Sequence, residues 1–222
     1  MSLSAPLHRL KSQAKAISRR EGLPLHAALD RIAHQEGFRS WSHLSASQRP
    51  DPARTLLSAL PSGSLSLLAG RPRQGKTRLG LELLALAAAQ HPAWFFTLEY
   101  TPRDLRALGI RGLERVCVDT SDAISASHVL QALPSGAVAV IDYLQLLDQH
   151  RSLPPLQEQI QRLQAGAQAQ GHRLVILSQI DRRFELSGRL RPTSEDIRMP
   201  NPVDLGRFAQ IWVLHQGHLE RC

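Results

Sequence analysis

The sequence predicts an α/β fold: a mostly parallel sheet flanked by helices, preceded by a small helical unit. From residue 55 onward, short apolar β-type runs alternate with longer amphipathic stretches. The runs are apolar throughout rather than at every second position, which is how strands buried on both faces of a parallel sheet read. The first 48 residues instead place their apolar positions at helical spacing. Between the two lies SASQRPDPAR, polar and proline-marked, so residues 49–54 are expected to link residues 1–48 to a domain spanning 55–222.

The first expected helix, in LHRLKSQAKAISRREG, carries Leu7, Leu10, Ala14 and Ile17 on one face and stops near Gly22. The second carries Leu25, Leu29, Ile32 and Ala33 and stops at Gly37, a residue type suited to a left-handed helix end. Ser40 is the expected N-cap of a third, short helix with Trp41 and Leu44. In the larger part, expected strands cover 64–70, 93–99, 115–120, 138–147, 173–180 and 210–216. Helical stretches such as TRLGLELLALAAAQ and LPPLQEQIQRLQAGAQAQG separate them, and Gln216-Gly217-His218 can turn a hairpin.

Composition narrows the function classes. No apolar run approaches the roughly 18 residues that span a bilayer, and the basic N-terminus has no apolar core of a secretory signal. Cys117 and Cys222 form no disulfide or metal spacing; the expectation is a reduced, cytoplasmic protein with Cys117 in a core strand and Cys222 at a frayed end. The ten histidines offer no zinc spacing either. The net charge is +8, and residues 1–54 hold nine basic side chains against four acidic, so the excess gathers in the N-terminal unit and favours a polyanionic partner.

GRPRQGKT, residues 70–77, fits a phosphate-binding loop, with an apolar strand before it and a helical stretch after it. Gly70 and Gly75 are expected to let the backbone of Arg71, Pro72, Arg73 and Gln74 turn its N–H groups toward phosphates, at the positive end of the next helix, which Arg78 continues. Lys76 supplies a compact charge for the β and γ phosphates and Thr77 a hydroxyl for Mg²⁺. The chain has three lysines, Lys11, Lys15 and Lys76, and uses arginine for every other basic side chain. A wide planar guanidinium does not fit a slot between two phosphates, which explains the lysine at 76. VIDYLQLL ends its apolar run near Asp142, placed to hold Mg²⁺. FFTLEY places Glu99 at a strand end, where it can deprotonate the attacking water, and VILSQI places Gln179 to sense the γ phosphate.

GRPRQGKT, FTLEY, VIDYLQLL and LSQIDRR, in this order, resemble the RecA-like motor domain of the DnaB-type replicative helicases, a P-loop NTPase family. CVDTSDAISASHVLQAL and RPTSEDIRMPNPVDLGRFAQIWVL are similar to further segments of that family, so the resemblance covers roughly 55–216. It implies a RecA-like fold, ATP and Mg²⁺ as cofactors, Lys76, Glu99 and Gln179 as catalytic residues, and Thr77 and Asp142 as metal ligands. It also implies a loop at 182–198 facing a DNA channel, where Arg182, Arg183, Arg189 and Arg191 would touch phosphates without reading sequence; Asp181, Glu185, Glu195 and Asp196 offset that charge. The implied partners are DNA, single-stranded, further copies of the chain in a ring such as a hexamer, and a replication protein, with no membrane.

The chain departs from the family in three places. The unit at 6–48 stands where a larger helical domain is expected, and is loosely similar to a short module of plasmid-borne and mobile-element proteins. The stretch between Glu99 and Cys117 is short, and HQGHLERC ends about where an arginine reaching the neighbouring subunit's ATP would begin, with Arg207 and Arg221 as substitutes. The same residues also suit a nucleotide-gated adaptor that presents the basic unit to DNA or protein, or a regulatory clock-protein-like ATPase without helicase activity.

Overall fold

The computed structural model describes residues 3–48, 51–148, 153–199 and 201–222. Contacts divide the chain into two compact units, Met1–Asp51 and Pro52–Cys222. The expected linker at 49–54 straddles this division: residues 49 and 50 lie outside the described residues, and a helix already begins at Pro52.

The first unit is three helices, α1 (Leu7–Glu21), α2 (Leu25–Gln35) and α3 (Trp41–Ser47). Leu10, Ala14, Ala28, Ile32, Ala33 and Leu44 are buried together, and the alanines let α1 and α2 approach closely. Gly22 ends α1 in the left-handed conformation at φ 67°. The Ser40 hydroxyl accepts the His43 N–H at 3.2 Å and caps α3. Asp30 of α2 accepts the Trp41 N–H at 2.8 Å and ties the start of α3 to the unit.

The second unit runs α4 (Pro52–Ala59), β1 (Ser64–Gly70), α5 (Lys76–Ala87), β2 (Ala93–Thr97), α6 (Pro102–Ala107), β3 (Cys117–Asp119), α7 (Ala126–Ala132), β4 (Val138–Asp142), α8 (Leu156–Gln170), β5 (Arg173–Gln179), α9 (Arg183–Leu186), β6 (Gln210–His215) and β7 (His218–Arg221). The seven strands form one sheet in the order β3-β2-β4-β5-β1-β6-β7, parallel except for the final hairpin. Alternate residues face opposite sides: Leu65, Leu67 and Ala69 of β1 pack toward α8, while Leu68 joins the layer under α5 with Val140 and Leu177. Both layers are buried, which is why the strands read as unbroken apolar runs.

The six expected strands are present but shorter. The run at 138–147 leaves the sheet at Asp142 and continues as a 3-10 turn over Leu144–Asp148, with Leu144 and Leu147 tucked into the α8-side core. Apolar character continues past the strand because both sections are buried. Cys117 is exposed rather than in the core, because β3 is an edge strand that pairs only with β2. Cys222, also exposed, donates its N–H to the Ile211 carbonyl at 2.9 Å.

His172, which opens β5, is 1% exposed with neither ring nitrogen hydrogen-bonded, and burial holds its pKa below the ordinary value of 6.5. The unfolded chain therefore takes up this proton first as pH falls, and the fold loses stability below about pH 6.5. In thermal melts from pH 7 to pH 5, His172→Leu is expected to flatten that acid-side decline; an unchanged slope would assign it to other groups.

Candidate nucleotide site

β1 delivers the phosphate loop to the sheet's carboxyl edge. Gly70 closes the strand where there is no room for a side chain: a Cβ there would lie 2.7 Å from the Leu214 carbonyl oxygen of β6. Gly75, at φ 88°, takes a conformation L residues resist, and α5 begins on the next residue, so its first free N–H groups open onto the loop. Arg73 also holds a positive φ of 61°.

β5 lies between β1 and β4, and its register pairs Gln179 with Gly70. Asp142 ends β4 opposite Thr97 of β2, and Glu99 follows two residues beyond, its N–H donating to the Thr97 hydroxyl at 3.0 Å. These strand ends converge on a cavity of about 370 Å³ lined by Lys76, Thr77, Glu99, Asp142 and Gln179, with Tyr100 and Tyr143 beside them. Pro72, Arg73, Gly75 and Arg78 complete the lining from the loop side. Arg78 also donates to Glu82 one turn along α5 at 2.8 Å.

The charges in the cavity are interdependent. The Lys76 ammonium donates to the Arg71 carbonyl at 3.0 Å; burial lowers its pKa, opposed by the nearby carboxylates of Asp142 and Glu99. Asp142 is 4% exposed, and its carboxyl is pushed up to about 6, chiefly by burial and further by Glu99. A hydrogen bond from Thr77 and the charge of Lys76 pull the other way. One Asp142 oxygen, Oδ2, is buried without a partner, as an oxygen placed to ligate a cation would be. Thr77 and Asp142 thus fit Mg²⁺, which takes few protein oxygens and completes its shell with phosphate and water.

Arg71 and Gln74 serve the surroundings instead. Arg71 pairs with Glu185 of α9, and Gln74 accepts the Gln216 N–H of the β6–β7 turn at 2.9 Å. Sequence reasoning missed both contacts because each partner lies more than a hundred residues away; it also passed over Tyr100 and Tyr143, which sit next to residues it chose.

The arginine segment is a closed excursion anchored beside Gln179. Ile180 bridges to Ile197, and the Arg198 N–H donates to the Gln179 carbonyl at 2.7 Å. Of its four candidate cations, Arg189 pairs with the buried Asp196 and Arg191 with Glu220 of β7. Arg182 and Arg183 are exposed, and among the described residues no ion pair engages them. Arg207 lies 3.6 Å from Asp204, Arg221 is exposed on β7, and neither lines the cavity.

A solved structure of a DnaB-like replicative helicase, described with its interactions with primase, superposes at a TM-score of 0.59 and 14% identity, covering 93% of this chain and 64% of that one. The ATPase domain of a second helicase superposes at 0.57 and 17% identity, covering 79% of this chain and 80% of that one. The fold is that of a DnaB-type, RecA-like motor domain. At these identities the likeness establishes the motor fold alone. No protein-family model and no curated protein sequence matches the chain. Among the described residues of this motor fold and its N-terminal unit, no helix is long and apolar enough to cross a membrane.

Asp142 carries the fold's clearest electrostatic cost. Its carboxyl ionises near pH 6 when folded against 3.8 ordinarily, so stability falls as pH rises between those values and stays lowered above them. The ligand-free Asp142→Asn variant is expected to be more stable than the parent above pH 6, by at most about 3 kcal/mol. The gain should vanish near pH 4; equal denaturation midpoints at pH 8 would refute it.

Proposed function

We propose that the chain is a Mg²⁺-dependent ATPase that works on single-stranded DNA, in DNA replication or the maintenance of a plasmid or mobile element. The convergence of Lys76, Thr77, Glu99, Asp142 and Gln179 on one cavity, from a loop and three separate strand ends, supports this reading most strongly. Similarity to a helicase described with primase favours a ring of copies, such as a hexamer, with a replication protein as partner. A cytoplasmic setting follows from that reading.

In this reading the loop N–H groups and the start of α5 hold the phosphates. Lys76 exchanges the Arg71 carbonyl for β and γ oxygens, which relieves the cost of its burial. Thr77 and Asp142 hold Mg²⁺, which when bound offsets charge on the phosphates. Asp142 gives up its proton to do so, and Lys76 favours the charged form. Glu99 is exposed on the open side of the cavity, placed to orient water and accept its proton as the terminal phosphoryl bond breaks. Gln179 contacts the γ phosphate from the strand between, and its backbone also holds the arginine segment. Arg182 and Arg183 then present that segment's unpaired charge to the DNA backbone.

Lys76→Ala is expected to lose binding of a fluorescent ATP analogue. Glu99→Gln is expected to retain it while turnover drops about 10²–10⁴-fold, the usual worth of a general base. Hydrolysis at the parent rate by Glu99→Gln would remove Glu99 from that role. Native mass with ATP and single-stranded DNA should show a closed ring, and a stable monomer would overturn the ring.

A further inference from the structure

The N-terminal unit has a charged surface that the nucleotide site does not use. On α1, His8, Lys11, Lys15 and Arg19 follow one another at spacings of three, four and four residues, which places them along one helix face. All four are exposed, and the stripe runs roughly 16 Å at 1.5 Å per residue. α1 has no acidic residue before Glu21, and Glu21 is engaged by Arg20 and Arg31, outside the stripe. Among the described residues, no ion pair engages any member of the stripe. Leu10 and Ala14, on another face of α1, form the core against α2, so fold packing does not require these charges.

Beside the N-terminal end of the stripe is a shallow cavity of about 430 Å³ lined by Leu7, His8, Lys11, Trp41 and Ser45. Trp41 is half-buried, and its position is set from beneath: Ser40 caps its helix and Asp30 accepts its backbone N–H. An indole fixed in this way, open on one side and flanked by cations, suits a planar base whose phosphates lie alongside. Lysine usage agrees. The chain places lysine at three positions, one at the phosphate loop and the other two one turn apart on this stripe. An ammonium is a compact point charge for phosphate oxygens.

We propose that this surface is a second nucleic-acid site, in which a single strand lays consecutive phosphates along His8, Lys11, Lys15 and Arg19 and stacks an unpaired base against Trp41. It is separate from the arginine segment and independent of nucleotide. It would keep the strand on the protein through stages of the ATPase cycle in which the motor's own contacts loosen.

The test uses the full chain without nucleotide and follows fluorescence anisotropy of a labelled oligothymidylate over a salt series. Lys11→Glu combined with Lys15→Glu is expected to weaken binding at least tenfold. Losing two phosphate contacts should also make the log–log salt slope shallower by about 1.4. Arg182→Glu with Arg183→Glu should bind as the parent does under these conditions. An abasic strand of equal length should bind roughly fivefold or more weakly, the loss of one stacked base. Thermal melts and binding of the ATP analogue should match the parent in the Lys11/Lys15 variant, since both side chains are exposed.

Parent-like affinity and salt slope in that variant would overturn the site, as would its transfer to the Arg182/Arg183 variant. Equal binding of the abasic strand would overturn the Trp41 contact, and tighter binding of duplex would overturn single-strand preference. Displacement of the oligonucleotide by phosphatidylserine vesicles at comparable phosphate concentration would assign the stripe to a membrane surface. The Lys76→Ala and Glu99→Gln assays contain no DNA, so failure here leaves the ATPase reading standing.

Discussion

Thr77 begins a helix after β1, and Asp142 ends β4, two strands away across β5. The hydrogen bond between them fixes the relation of phosphate loop and acidic strand end in a place where water is largely excluded. Burial alone would leave Asp142 protonated at neutral pH; Thr77 and Lys76 together favour its ionised form. Lys76 is in turn a desolvated cation whose charge is supported by Asp142 and Glu99. Neither charge is comfortable alone, so removing one member disturbs the protonation of the others. The fold tolerates this mutual dependence because the site is shaped for a ligand that supplies the missing charges.

The sheet makes that arrangement possible. A parallel sheet buried on both faces leaves its strand ends as the places where polar side chains escape the core, and parallel strands put these ends on one edge. β5 carries Gln179 between the loop and Asp142 because the chain crosses over before inserting it there. From the same residue the backbone clasps the base of the arginine segment, while Arg71 reaches from the phosphate loop to Glu185 within that segment. Two contacts therefore join the phosphate loop and the γ-phosphate strand to the surface where Arg182 and Arg183 stand. One is a backbone hydrogen bond, largely indifferent to salt. The other is a partly exposed ion pair that competing phosphate can break.

How much of this the sequence shows depends on the range of the interaction. Six strands, the phosphate loop and the carboxylates at strand ends are legible because each follows from a few neighbouring residues. Ser40 as a cap and Gly22 as a stop are legible for the same reason. The end of β4 is not, since Leu144 and Leu147 are as apolar and buried as the strand before them; only the geometry shows that the chain turns into 3-10 there. Cys117 looked like a core residue because an edge strand and an inner strand share their composition. The pairing of Arg189 with Asp196 and Arg191 with Glu220 is invisible to a count of charges, which sees four arginines and several acids but not who faces whom. Nor does proximity to the loop show that Gly70 answers to β6: its constraint is the Leu214 carbonyl, from a strand that enters the sheet near the chain's end.

Lysine usage connects the two units of the chain through chemistry rather than contact. At 76 the side chain sits partly buried, donating to a carbonyl of its own loop within reach of two carboxylates. A forked guanidinium needs a broad planar slot and several acceptors at once, which one carbonyl in a narrow loop does not provide. At 11 and 15 the surroundings are open and would accept either cation, so geometry does not compel the choice. What those positions share with 76 is the absence of a fixed acidic partner: each leaves an ammonium whose strongest counter-charge must come from outside the fold. For Lys76 that counter-charge is the ligand of a phosphate loop. For Lys11 and Lys15, aligned with His8 and Arg19 beside an open indole, the matching chemistry is again phosphate, now strung along a chain with bases attached.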